Sequence, residues 1–242
     1  MATLLPHIET GVIPSALLGS AVDSTRIGLD GTPVPMLRGR LHQVSVLPAS
    51  IAGTALVLLS PGVTDRIAAA IFTASIVAML SASAFYHCHA HTWPVKLRAR
   101  RIDHSMIFVA IAGSETAFWL AGAPKAAAVP ASVVIWVIAW AGIRHKLAHL
   151  ALTGTTGSWL YGALGYTSVL LLPFLASSHQ WTVIALVVVG GLTYSLGSRL
   201  LVTQSPNPIP GVFGYHEVWH VLVVAGVVMH GAALASLSGI VG

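Results

Sequence analysis

Along the chain, apolar runs alternate with short breaks rich in Pro, Gly and charge. The runs last roughly 17 to 23 residues, the length at which an α-helix crosses a bilayer. Seven are present, over residues 42–60, 66–87, 104–121, 126–143, 158–175, 180–202 and 214–236. Ser60-Pro61-Gly62 closes the first, Gly122-Ala123-Pro124-Lys125 parts the third from the fourth, and Gln204-Ser205-Pro206-Asn207-Pro208 precedes the seventh. The pattern predicts an all-α fold, an integral membrane bundle of seven transmembrane helices. No internal repeat marks a doubled transporter half. Residues 1–40 carry Pro, Gly and scattered charge but lack the basic start of a secretory signal. Two regions are therefore expected: an N-terminal tail over 1–40, mobile or lying on the surface, and a transmembrane domain over 41–242.

Composition sharpens the picture. Of 242 residues, 55% are hydrophobic and 8% charged, against about 25% charged in an ordinary soluble domain. Too few polar residues remain to cover a water-facing surface, which excludes a soluble globular enzyme and a disordered chain. Twelve Lys and Arg against seven Asp and Glu give a formal charge of +5, a balance that in a soluble protein would suggest nucleic acid. Here the basic residues stand in the breaks and report orientation instead. Arg26, Arg38, Arg40, Lys96, Arg98, Arg100, Arg101, Arg144, Lys146 and Arg199 fall on one side, and Arg66 and Lys125 on the other. The positive-inside rule then predicts a cytoplasmic N-terminus and an outside C-terminus. Membrane lipids are the expected partners and nucleic acid is not.

That orientation brings four chemistry-bearing residues to one depth, the cytoplasmic boundary: His87 at the end of the second span, Asp103 at the start of the third, and His216 and His220 at the start of the seventh. With the single cysteine Cys88, neither a disulfide framework nor a Cys-rich metal cluster is available. The 12 histidines are the chemical resource of the chain.

The seventh span opens Gly214-Tyr215-His216-Glu217-Val218-Trp219-His220. Histidines at i and i+4 share a helix face with Cβ atoms about 6 Å apart, so both imidazoles can reach one ion at about 2.0 to 2.1 Å. The segment also fits H-E-x-x-H, in which the Glu acts as general base; the bland alternative is a pair of interfacial histidines. A stable site needs a third ligand. His87 is the first choice and His89 and His91, past the span, are the competitors. Ser83, one turn before His87, is placed to hydrogen-bond a ligand or a bound water. Asp103, in Arg101-Ile102-Asp103-His104-Ser105, reads as an N-cap of the third helix, a place from which its carboxylate could also orient that water.

Other polar residues have plainer readings. Glu115, mid-span, should face the bundle interior because a carboxylate at the bilayer centre costs about 2.5 to 3.5 kcal/mol on insertion scales. His145 and His149 repeat the i, i+4 spacing beside Arg144 and Lys146 and read as a solvated basic face. His230 is expected to be a buried hydrogen-bonding histidine, and His42, beside Arg38 and Arg40, an interface anchor. Trp136 and Trp140 stack along one face of the fourth helix.

Four segments together resemble the haemolysin III family, the bacterial branch of the progestin and adipoQ (adiponectin) receptor group. They are Leu37-Arg38-Gly39-Arg40-Leu41-His42, Ser83 with His87 four residues on, Asp103-His104-Ser105-Met106-Ile107, and Phe213-Gly214-Tyr215-His216-Glu217-Val218-Trp219-His220. The resemblance implies a multi-pass protein of the bacterial plasma membrane holding a zinc ion, Zn2+, by three histidines near the cytoplasmic side. Those positions carry over onto His87, His216 and His220, with Asp103 and Ser83 around the metal's water. The chain departs from the family after Ala112-Gly113, where Ser114-Glu115-Thr116-Ala117-Phe118 replaces a Tyr-Thr-Pro-Phe-like stretch. The missing proline implies a straighter third helix, and Glu115 alters the cavity.

Two functions follow as expectations. A zinc-dependent lipid amide or ester hydrolase would use a water whose pKa falls toward about 7 on the metal, with Asp103 or Glu217 taking its proton. Eukaryotic relatives implied by the resemblance act on ceramide-like amides. Alternatively, structural zinc would tie the second and seventh helices together in a non-enzymatic protein of membrane homeostasis, sensing or cytolysis. H-E-x-x-H also admits an intramembrane metalloprotease. A retinal protein is excluded, because the seventh span has no lysine for a Schiff base.

Overall fold

The computed structural model describes residues 23–28, 31–149 and 159–241, without the side chain of His149. Seven helices among them are long and apolar enough to cross a membrane. They are α1 (Arg40–Leu59), α2 (Val63–Cys88), α3 (Trp93–Gly122), α4 (Lys125–His149), α5 (Trp159–Ser177), α6 (Trp181–Thr203) and α7 (Tyr215–Leu237). Helix α5 is not uniform: α-helical at Trp159–Gly165 and Leu172–Ser177, it tightens to 3₁₀ over Tyr166–Leu171.

The helices are apolar outward because their solvent is lipid. Along α1 the exposed positions include Val44, Leu47, Ile51 and Leu58, a stripe at helical spacing. The interior combines large apolar side chains such as Leu80, Phe108 and Phe118 with small and polar residues, and the small ones let backbones approach. A Cβ on Gly113 of α3 would run into the Ser75 side chain of α2, and one on Gly197 of α6 into the Trp219 ring of α7. The centre of the bundle is α3. Of its apolar window 61% is buried, against 17% to 50% for the other six, and it packs on α2, α4, α5 and α7. Helix α7 packs on α6 and also meets α1, which brings the first and last spans together.

Two boundaries differ from the hydropathy reading. Helix α3 starts at Trp93 with Thr92 as N-cap and Pro94 in its first turn, about ten residues before the apolar run. Lys96, Arg98, Arg100 and Arg101 are thus helical, and Asp103 lies inside α3 rather than capping it. Lys96 and Arg100 are buried: the Lys96 ammonium sits 5.5 Å over the Trp93 ring and donates to the Ser24 and Ile27 carbonyls. Helix α4 likewise continues through Arg144 and Lys146. Lys146 is not on a solvated face; it is fully buried with its ammonium 5.0 Å from the Tyr161 ring.

The described part of the N-terminal segment lies against the bundle. The Ser24 hydroxyl donates to the Ala90 carbonyl at 2.5 Å, and the Met36 and Leu37 amides donate to the Gly211 and Val212 carbonyls at 2.9 and 3.1 Å. Asp23 accepts from the Thr25 amide and hydroxyl, which hold its carboxyl below its ordinary pKa. The segment bridges the α2–α3 turn and the α6–α7 loop, at the end of the bundle where the histidines of both helices gather.

Candidate metal centre

His87 occupies the last turn of α2, and His216 and His220 the first turns of α7. One nitrogen from each ring lies within 4.8 Å of the other two. Ring centroids stand 4.9 Å apart for His87–His216, 5.3 Å for His87–His220 and 4.7 Å for His216–His220. Among the described residues this is the only such group of three or more His, Cys, Asp or Glu side chains.

Local chemistry fixes where α7 begins. Helix N-termini leave amides without partners, and here Glu217 Oε2 accepts the Gly214 amide at 2.7 Å. Its other oxygen, Oε1, accepts from Arg38 Nε at 2.5 Å, with Glu217 only 2% exposed. Both oxygens of the H-E-x-x-H carboxylate are thereby engaged. Next to Arg38, Gly39 has φ of +76°, and a Cβ there would meet His87 Cβ and stand 3.0 Å from Cys88 Sγ. Glycine is required on both counts, and it lets the N-terminal segment rest directly on His87.

Ser83 is buried one turn before His87. Its hydroxyl is 2.8 Å from Nδ1 of His42, and the His42 ring lies flat on His220, with centroids 3.7 Å apart and planes at 9°. His42 is 3% exposed, so it is no interface anchor. The neighbouring Arg38 and Arg40 concealed this in the sequence, and only the contact of α1 with α7 reveals it. Asp103, buried on α3, faces the same interior, close enough for its charge to act on His42, Tyr86 and Tyr161. Its Oδ2 is 3.4 Å from His104 Nδ1, which itself lies 3.0 Å from the Arg100 carbonyl.

The donor set fits a divalent ion that favours nitrogen. His220 Nδ1 is buried without a hydrogen-bond partner, an omission that buried polar atoms seldom tolerate.

The description "Haemolysin-III related" belongs to a family model that matches residues 32–231. The chain is a member of the haemolysin III family. It is 26% identical over 162 residues to the Hemolysin-3 homolog of Bacillus subtilis (strain 168), covering 67% of this chain and 73% of that protein. It is also 26% identical over 128 residues to Hemolysin-3 of Bacillus cereus, covering 53% and 56% respectively. Family and spans together make it a multi-pass membrane protein, consistent with a bacterial plasma membrane.

Other candidates in this haemolysin III chain stand apart from the three imidazoles. His89 pairs with Gln43 at 3.1 Å and His91 with Asp23 at 3.2 Å. His145 is on α4, and the His149 side chain lies outside the described residues. His230 packs against Phe118 and Tyr194 with Nε2 3.3 Å from the Val187 carbonyl, a hydrogen-bonding histidine as expected but only partly buried. Trp136 Nε1 donates to Thr116 Oγ1 at 3.0 Å, and with Trp140 it lines an apolar groove of about 520 Å³ between α3 and α4, none of whose lining residues is a histidine.

Proposed function

We propose that this protein is a membrane-embedded zinc hydrolase of lipid amides or esters, with the ion held by His87, His216 and His220 near the cytoplasmic side. One observation carries the proposal: imidazoles from two helices 129 residues apart along the chain, His87 and His216, meet a third in the bundle interior. A three-imidazole zinc site supplies a water acidified toward pKa ~7 at an open fourth position.

The residues around the three histidines divide the remaining work. Asp103 is the carboxylate available to take a proton, since Glu217 is engaged by Arg38 and by the Gly214 amide. Glu217 instead holds the first turn of α7, and so both of its histidines, in register with the N-terminal segment. Ser83 presents its hydroxyl beside His87 and His42, where it orients a polar group of the substrate. A lipid substrate reaches the site from the bilayer that surrounds all seven helices.

A second reading has its own support. Arg38 and Gly39 close over the cluster from the N-terminal segment, so a metal there would also cross-link α2 and α7 under a cover. That suits structural zinc in a non-enzymatic protein of membrane homeostasis, sensing or cytolysis, the last in keeping with the relatives' name Hemolysin-3.

The test is zinc content and lipid amide and ester turnover of chelator-free protein, compared with its His87→Ala, His216→Ala and Asp103→Ala forms. Zinc lost with either histidine, and zinc kept but turnover lost with Asp103→Ala, supports the hydrolase. Zinc bound by wild type with no turnover of either class leaves the structural reading, and no zinc in wild type ends both.

A further inference from the structure

We propose that His42 is a positioning residue of the histidine centre: it fixes the Ser83 hydroxyl and the His220 ring without being a ligand itself. The inference rests on the reading that His87, His216 and His220 hold a metal; it does not depend on hydrolysis.

Ser83 behaves unlike other serines of the bundle. A serine inside a helix ordinarily turns its hydroxyl back to the carbonyl one turn earlier, as Ser50, Ser60, Ser114 and Ser132 do here at 2.7 to 2.8 Å. The Ser83 hydroxyl is drawn across to α1 instead, to Nδ1 of His42 at 2.8 Å. A hydroxyl has one proton to give and lone pairs to offer. If Ser83 donates to His42, it faces the centre as an acceptor; if His42 Nδ1–H donates, the Ser83 proton is left for the centre. His42 thus decides which role Ser83 presents.

The same ring buttresses a proposed ligand. With planes at 9° and centroids 3.7 Å apart, His42 and His220 are in face contact. An imidazole binds a metal in its own plane at about 2.0 to 2.1 Å, so an ion in the plane of His220 lies off the plane of His42. The stack therefore suits support and not ligation. His42 itself is set by the Gly39 turn and the Arg38–Glu217 pair immediately before it, so α1 reaches the centre through a fixed start.

The experiment uses full-length protein in detergent, loaded with Co2+ as a visible probe, and compares wild type with His42→Phe, Ser83→Ala and the double variant. Phe keeps a flat ring against His220 and removes the bond to Ser83. All forms are expected to bind one Co2+ per chain. His42→Phe and Ser83→Ala should each weaken Co2+ binding by about 10- to 100-fold, the usual effect of losing an outer partner, and shift the visible bands alike. The double variant should be no worse than the weaker single one, because the two act as a unit. His42→Asn, whose amide reaches the place of Nδ1 but which offers no ring to His220, should recover the part of the affinity owed to Ser83 and not the part owed to the stack, and it carries the test if the Phe variant does not fold.

Unchanged affinity and bands in His42→Phe, losses that multiply in the double variant, or loss of all Co2+ from a folded His42 variant would each overturn the inference. Wild-type protein that binds no Co2+ overturns it together with the metal centre. Wild-type protein that binds Co2+ or Zn2+ but turns over no lipid removes the hydrolase and leaves the role of His42 standing.

Discussion

Arg38 Nε meets Glu217 Oε1 at 2.5 Å across 179 positions of sequence, joining the residue before the Gly39 turn to the first turn of α7. The pair converts an H-E-x-x-H pattern, which on its own suggests a general base, into a latch between the N-terminal segment and the helix that carries two of the three histidines. Removing one member of a buried ion pair strands the other, at a cost of about 3 to 5 kcal/mol; the partial exposure of Arg38, 16%, places the expected effect at the low end. Glu217→Ala, which also strips the α7 cap, should lower thermal stability in detergent more than Arg38→Ala. Glu217→Gln should retain the cap and, if lipid turnover is present, much of the turnover. Turnover abolished in a stable, metal-loaded Glu217→Gln protein would return the carboxylate to the role of base.

Gly39 makes the neighbouring prediction. Alanine there must hold φ near +76°, which costs an L-residue about 1 to 2 kcal/mol, and its methyl would press into His87 Cβ. Gly39→Ala is expected to destabilise the protein by about 2 to 4 kcal/mol when the contact is added and to weaken metal binding through His87. Gly211 also has positive φ, +75°, but a Cβ there meets nothing within 4 Å, so Gly211→Ala should pay the backbone cost alone with metal affinity unchanged. Equal metal affinities in both variants would show that Gly39 serves the turn and not the centre.

The seven spans were legible because lipid leaves a helix no choice: every residue facing it must be apolar, and the run is as long as the membrane is thick. The same logic misplaced the start of α3, since hydropathy ends where charge begins while the helix goes on beneath the N-terminal segment, its Lys96 held by the Ser24 and Ile27 carbonyls. His87, His216 and His220 could be grouped from i, i+4 spacing and common depth. His42 could not, because its place depends on α1 packing beside α7, a contact between the two ends of the chain that no local pattern encodes. Nor does the sequence announce the 3₁₀ stretch of α5, where the shift from i−4 to i−3 bonding is a small energetic change.

The N-terminal segment should be detectable as part of the fold. The Ser24 hydroxyl is buried and bonded to Ala90, and such a bond contributes about 1 kcal/mol. Losing it should free the strand of chain around Arg26 more than it destabilises the bundle. Limited trypsin digestion at neutral pH is expected to cut Ser24→Ala after Arg26 several times faster than wild type while the melting temperature falls little. Equal cutting rates would mean that the segment's other bonds, to Lys96, His91 and the Gly211–Val212 backbone, hold it without Ser24.

Glu115 offers the sharpest test of how the bundle treats charge. It is buried inside α3, and its Oε2 has no hydrogen-bond partner. No ion pair to Glu115 is present among the described residues. The charge therefore meets no counter-charge and brings no gain, so the carboxyl is carried as a buried polar group. Glu115→Gln preserves the acceptor and should leave stability within about 1 kcal/mol of wild type. Glu115→Ala empties the space the side chain fills beside α5 and should cost about 1 to 3 kcal/mol. Glu115→Lys places a fixed donor and a cation in that position, and at about 2.5 to 3.5 kcal/mol for insertion alone it should sharply reduce folded protein recovered from membranes. If thermal unfolding instead ranks Gln as low as Ala, the ionised carboxylate itself contributes something that filling the space does not explain.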